Sequence, residues 1–256
     1  MATGITTGGT TAFDALALQE TIRESVANTA LSSGITLYSQ KKYTQAAQAF
    51  KQASAMNPDL AQAYTYLGYT QIQQGKQQDA VKSLTLSLKV DKTQDQVYSD
   101  LANLYIDMKQ PADAEKTLQN AIQQNNQNTL AYYTLGQLQA QRSDYTDAEK
   151  QFQQVIKLEP NDANGYYALG MALNGQGRYG EAISQLTKAT SKKQNFVAAI
   201  SELGKAYAAT GDTYNAQQQI NKLNNIGTSD AQLDARTLTN TITKPAISDI
   251  NAFGTT

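Results

Sequence analysis

Few side chains in this sequence are arranged to do covalent chemistry. The chain holds no cysteine and no histidine, which excludes a cysteine nucleophile, a thiolate or imidazole metal site, a disulfide framework and a Ser-His-Asp triad. Acidic residues gather at Asp144, Asp147 and Glu149. Aspartates beside a turn or in a first helical turn, however, serve to cap amides and answer the helix dipole. The stretch Asp91-Lys-Thr-Gln-Asp95 lacks the alternating oxygen ligands and central glycine of a calcium loop. Gly175-Gln-Gly177 has no strand before it and reads as a turn, not a dinucleotide fingerprint. Ser191-Lys192-Lys193 reads as a solvated turn. These residues predict no catalytic, cofactor-binding or metal site, and hence no enzyme.

Charge and end composition narrow the partners. The 256 residues carry 21 basic and 22 acidic side chains, a net charge of −1. A nucleic-acid binder would need a basic excess or patch to neutralise phosphates. No run of 18 or more apolar residues is present, so no membrane span is expected. Met1 to Thr11 reads MATGITTGGTT, and the first basic residue is Arg23. That is not a Sec signal peptide. Two locations stay open: the cytoplasm, or the outside of the cell without a visible Sec signal. Low charge and abundant Thr, Gln and Asn tilt the composition toward secreted bacterial assembly proteins.

The elements that must position any site follow from a strict period. Six blocks begin at Ala27, Ala61, Asp95, Thr129, Ala163 and Val197, each 34 residues after the last. An alanine recurs at Ala46, Ala80, Ala114, Ala148, Ala182 and Ala216. A large apolar residue follows it by four, at Phe50, Leu84, Leu118, Phe152, Leu186 and Ile220. A small residue recurs earlier at Gly34, Gly68, Ala102, Gly136, Gly170 and Gly204; leucine precedes it except in the first block, where Ser33 stands. Apolar residues three and four apart, as in Tyr132, Leu135 and Leu138, then Ala148, Phe152, Val155 and Ile156, predict two amphipathic helices per block. Turn signals divide the helices at Gly75, Ser143-Asp144, Gly175 to Gly177 and Gly211-Asp212. Pro58 and Pro160 are expected to end the second helix of their blocks. A hairpin this short cannot bury its apolar faces alone, so the blocks must stack.

These residues resemble the tetratricopeptide repeat family over Ala27 to about Asp230. The resemblance rests on Tyr64-Leu67-Gly68, Tyr132-Leu135-Gly136 and Tyr166-Leu169-Gly170, and on the turn tyrosines Tyr43, Tyr145 and Tyr179. The closing proline is replaced by Lys92, Asn126 and Gln194, and tryptophan is absent. The resemblance implies an all-α fold: a right-handed superhelical α-solenoid of six repeats (27–60, 61–94, 95–128, 129–162, 163–196 and 197–230). It also implies a non-enzymatic scaffold that holds a peptide or helix in its concave groove or assembles with copies of itself.

Helical spacing sets the inward face of each first helix. The face is predicted to present Leu31, Ile35 and Tyr38; Gln62, Thr65, Tyr69 and Ile72; and Gln96, Ser99 and Asn103. Further along come Tyr133 and Gln137; Asn164, Tyr167, Met171 and Asn174; and Ser201 and Lys205. Lys205 is the only charge on it. Such a groove lacks the cation cluster that clamps a C-terminal carboxylate. It suits a neutral, partly apolar segment, because tyrosine offers large area at low rotamer cost and keeps a polar contact. Each of Tyr69, Tyr133 and Tyr167 is also open to a simpler role, packing partly against the adjoining helix.

The flanks depart from the repeat. Residues 1–26 hold a Thr/Gly segment and a helical extension. A helix is expected from near Ala12 to about Gln40, on the order of 40 Å long, its first half overhanging the repeats. Ser229-Asp-Ala-Gln232 reads as the start of a capping helix within 231–256, with Leu233 and Leu238 on a weakly apolar face. A tail with Ile247, Ile250 and Phe253 follows Pro245. Phe13, Leu18, Ile22 and these three tail residues are candidates for assembly into an oligomer or filament. The alternative is a cytoplasmic adaptor or co-chaperone-like protein that binds a peptide or helix of another protein.

Overall fold

The computed structural model describes residues 8–243, with side chains from Asp14 onward. The described residues form thirteen α-helices and no strand. None of these helices is long and apolar enough to cross a membrane, and no group of acidic side chains among them could hold a metal ion. The chain divides into two compact units, residues 1–126 and 127–256.

The first unit contains α1 (Gly8–Ser39), α2 (Tyr43–Met56), α3 (Ala61–Gln73), α4 (Gln77–Val90), α5 (Asp95–Asp107) and α6 (Pro111–Gln124). They pair as hairpins α1–α2, α3–α4 and α5–α6, and α2 packs on α3 as α4 packs on α5. The second unit contains α7 (Thr129–Gln141), α8 (Tyr145–Leu158), α9 (Ala163–Gly175), α10 (Tyr179–Lys192), α11 (Val197–Ala209), α12 (Thr213–Ile226) and α13 (Ser229–Thr243). It repeats the hairpin pattern and closes with α13 against α11 and α12.

The recurrent residues form the core of both units. Ala46, Ala80, Ala114, Ala148, Ala182 and Ala216 are wholly buried, and the large apolar residues four positions on lie beneath the facing helix. The small site opposite them exists to admit those side chains. A methyl group added at Gly136 would stand 2.6 Å from Phe152 Cε1, and one at Gly34 would stand 2.5 Å from the Phe50 ring. Such overlap forces the helices apart.

The turn inside each hairpin is one backbone device used six times. At residues 41, 75, 109, 143, 177 and 211 the chain adopts positive φ, between 60° and 78°. The amide of the next residue then donates back five positions, as Lys42 N to Leu37 O and Asp144 N to Gln139 O, both at 2.9 Å. This left-handed cap satisfies carbonyls that the helix end leaves free. Glycine fills three of the six positions without strain. Lys41, Lys109 and Ser143 fill the others at φ of 60°, 60° and 64°. The prolines matter less than expected: α4, α6 and α10, with no proline after them, end in the same register as α2 and α8.

The ends differ from the interior. Ser33 is exposed where the corresponding Leu67, Leu101, Leu135, Leu169 and Leu203 are buried. It lies on the outermost hairpin, where a polar face meets water. α1 starts earlier than expected and spans about 48 Å at 1.5 Å per residue. Every residue from Asp14 to Val26 is exposed, with Leu18 at 61% and Ile22 at 55%. α13 buries Ala231, Ala235 and Leu238, while Leu233 stays in solvent. Those two leucines are five residues apart, about 140° around the helix, so they cannot share one face. The side chain of Phe13 and the tail residues Ile247, Ile250 and Phe253 lie outside the described residues.

Candidate protein-interaction clefts

Each unit carries a cleft along its first helices. In the second unit, Tyr133 and Gln137 on α7, Tyr167, Met171 and Asn174 on α9 and Glu202 on α11 surround a cleft of about 540 Å³. Phe152 and Ala168 form its floor. These side chains converge because helices that begin 34 residues apart present corresponding positions to the same side. The Tyr133 ring lies 5.9 Å from that of Phe152, and Tyr167 lies 4.9 Å from Phe196. Each tyrosine thus packs its ring at a tilt against a neighbouring phenylalanine and lines the cleft beside it.

Electrostatics in this cleft come from acids. Burial, followed by the nearby Glu202 carboxylate, pushes the Tyr167 phenol up to about 12. Burial and then Asp162 raise that of Tyr133. Asn174 donates its amide to the Glu202 backbone oxygen at 3.2 Å and to its Oε2 at 3.1 Å. Lys205 Nζ donates to Glu202 Oε1 at 2.7 Å. Beside this cleft a hollow of about 270 Å³ shares Tyr133 as a wall and is lined by Leu130, Glu159 and Asp162 as well.

The first unit carries a smaller cleft, about 220 Å³, lined by Tyr69, Ile72, Asp100, Asn103, Leu104 and Asp107. Here the tyrosine is engaged. Tyr69 Oη donates to Asp100 Oδ2 at 2.5 Å, and Gln96 Nε2 donates to Asp100 Oδ1 at 3.0 Å. Burial, and next the bond to Asp100, raise the Tyr69 phenol well above its usual range.

The remaining predicted groove positions divide by depth. Leu31 is buried with Ala30, Ala46 and Phe50 and belongs to the core. Ile35 is exposed, and Tyr38 is half-buried with its ring edge-on to Tyr43. Thr65, Ser99 and Ser201 are buried under neighbouring helices rather than lining a groove. Thr65 Oγ1 shares a hydrogen bond with Ser87 Oγ at 2.6 Å and donates to Gln94 Oε1 at 3.0 Å. Glu202, Asp100 and Asp107 line clefts that the sequence pattern left with Lys205 as their only charge. A stripe of Gln96, Asp100, Asn103 and Asp107, at steps of four, three and four, carried that signal. The expected step from Gln96 to Ser99 to Asn103 selected the neighbouring stripe.

The repeat pattern is matched by family models for the tetratricopeptide repeat at residues 99–149 and 133–196, and for the TPR repeat at residues 34–75. The chain belongs to the tetratricopeptide repeat family. Proteins of this family are generally non-enzymatic scaffolds for protein–protein interaction. Solved structures agree on the fold. A tetratricopeptide repeat protein from Parabacteroides merdae is 18% identical with a TM-score of 0.67, covering 85% of this chain and 86% of its own. The Pseudomonas aeruginosa pilF protein is 14% identical with a TM-score of 0.66, over 85% of this chain and 98% of its own. YrrB, a TPR protein with an unusual peptide-binding site, is 20% identical with a TM-score of 0.55, over 67% of this chain and 88% of its own. No curated protein matched the sequence.

Proposed function

We propose that this tetratricopeptide protein is a non-enzymatic scaffold that holds an extended segment of a partner protein in the cleft of its second unit. One observation carries the reading: side chains from three successive hairpins meet around a single cleft walled by two half-buried tyrosines. Tyrosine gives large contact area with few rotors to freeze. Met171 beside it is adaptable apolar surface, and Gln137 can pair with the backbone of an extended peptide. The peptide-binding site of YrrB supports peptide capture as a use of this fold.

The test is selection of phage displaying random peptides about twelve residues long, enough to cross the cleft when extended. Peptides that bind the full chain and lose about tenfold or more in affinity for Tyr167→Ala support the reading. A selection that yields no binder, or binders indifferent to Tyr167 and Tyr133, overturns it.

A second reading is self-assembly into an oligomer or filament, favoured by the exposed Leu16, Leu18, Ile22 and Val26 on the first half of α1. An isolated helical stretch of this length is marginal in water, and burying such residues on another copy would stabilise it. Light scattering on Leu18→Glu/Ile22→Glu, and on a chain lacking residues 247–256, tests this. A falling mass supports assembly, whereas one monomer mass for parent and variants ends it.

A further inference from the structure

We infer that the segment held by the second unit carries a lysine or arginine beside its apolar anchor, an inference that rests on the capture reading above. Three carboxylates line the open cleft and its adjoining hollow: Glu202, Glu159 and Asp162. Lys205 is the one cation bonded to any of them among the described residues, and it answers only Glu202, from a side chain 49% exposed. Asp162 caps α9, accepting from Asn164 N at 3.1 Å and Nδ2 at 2.9 Å, and Glu159 is exposed. Neither is bonded to a cation among the described residues, so the site keeps an excess of negative charge. An exposed ammonium one turn along the same helix offsets little of it.

Hydrogen bonding points the same way. Asn174, which lines the cleft, spends its amide donor on Glu202 while its buried Oδ1 finds no partner among the described residues. A buried acceptor without a donor is unfavourable, and a shift of the Asn174 side chain toward the cleft would let a ligand N–H relieve it. Lysine and arginine bring several N–H donors and no acceptor. Their methylene stems pack on apolar surface such as Met171, and their charge is attracted to tyrosine faces such as those of Tyr133 and Tyr167.

The chain's own ends fit this site less well. The exposed first half of α1 sets Asp14, Glu20 and Glu24 against Arg23, and the segment after Thr243 sets Asp249 against Lys244. The first would meet like charge and the second brings no net charge. The occupant is a basic-apolar segment of another protein.

The peptides selected above provide the test. Lysine or arginine should be enriched about threefold or more within two positions of the apolar anchor, since charge complementarity selects partners. For one such peptide, Glu159→Gln/Glu202→Gln should weaken binding about fivefold or more, and its lysine-to-norleucine analogue should lose less than about twofold between the same proteins. Unchanged helical circular dichroism and melting confirm that the variant is folded. Binders without basic enrichment, or equal losses for both peptides, overturn this inference and leave peptide capture standing. Absence of any binder removes both.

Discussion

The two units present the same repeat positions to different ends. Leu31, Thr65 and Ser99 in the first unit correspond in the 34-residue register to Tyr133, Tyr167 and Ser201 in the second. Leu31, Thr65, Ser99 and Ser201 are buried; the two tyrosines are too large to follow, so they emerge half-buried as walls of a cleft. The acids repeat as well, since Asp100 and Glu202 occupy the same register three repeats apart. In the first unit the acid is bonded to Tyr69 and Gln96 across a cleft of about 220 Å³. In the second it lines an opening of about 540 Å³ with no bond to either tyrosine. One scaffold thus yields a small cleft where Tyr69 bonds the acid, and a larger one where Met171 stands in the register of Tyr69 and tyrosines replace Leu31 and Thr65.

Core truncation separates the units most strongly. Phe50 and Phe152 are both fully buried, and each change to alanine should cost about 3–5 kcal/mol in denaturant unfolding. Phe152 also floors the second cleft, so only Phe152→Ala should abolish peptide capture in variants that remain folded. Equal binding by both would break the comparison.

Overpacking comes next. Ala148→Leu should destabilise by about 1–3 kcal/mol, because the wholly buried methyl has no room to grow. A variant that melts no earlier than its parent would contradict the packing described for the second unit.

The turns test the shared backbone. Lys41→Gly and Lys109→Gly in the first unit and Ser143→Gly in the second should each stabilise by roughly 0.5–1 kcal/mol. Relief of left-handed strain, about 1–2 kcal/mol, outweighs the extra freedom glycine gives the unfolded chain. Losses at these positions on thermal unfolding would show that the lysine and serine side chains matter for themselves.

The phenols give the smallest effect. The Tyr167 phenol is raised to about 12, so the fold favours its neutral form. That contribution is fully present below the ordinary tyrosine range near 10 and fades as pH rises toward 12. Spectrophotometric titration should find late-ionising tyrosines, Tyr69 and Tyr133 among them, and Tyr167→Phe should remove one equivalent from that late portion. A titration curve whose late portion is the same in parent and variant would place the Tyr167 phenol in solvent.

Much of this architecture is legible in the sequence. The block starts at Ala61, Asp95, Thr129, Ala163 and Val197 are the first residues of α3, α5, α7, α9 and α11, because burial of one small residue and one large one fixes the register of both helices. The overhanging α1 followed from an unbroken run without proline, although it begins at Gly8. Left-handed turns at Lys41 and Lys109 were hidden, since neither residue prefers that conformation and the fold imposes it. The acidic lining was hidden for a geometric reason. One residue turns a helix by about 100°, so a face drawn through Ser99 misses the charge on Asp100. Leu233 failed likewise, five residues from the buried Leu238.

The account stands most directly on affinity for a selected lysine-bearing peptide, measured by calorimetry for the parent, Tyr167→Ala and Tyr69→Ala. Loss of about tenfold or more, some 1.4 kcal/mol, is expected for Tyr167→Ala, and less than about twofold for Tyr69→Ala. Equal losses, or a greater loss at Tyr69, would contradict the assignment of capture to the second unit.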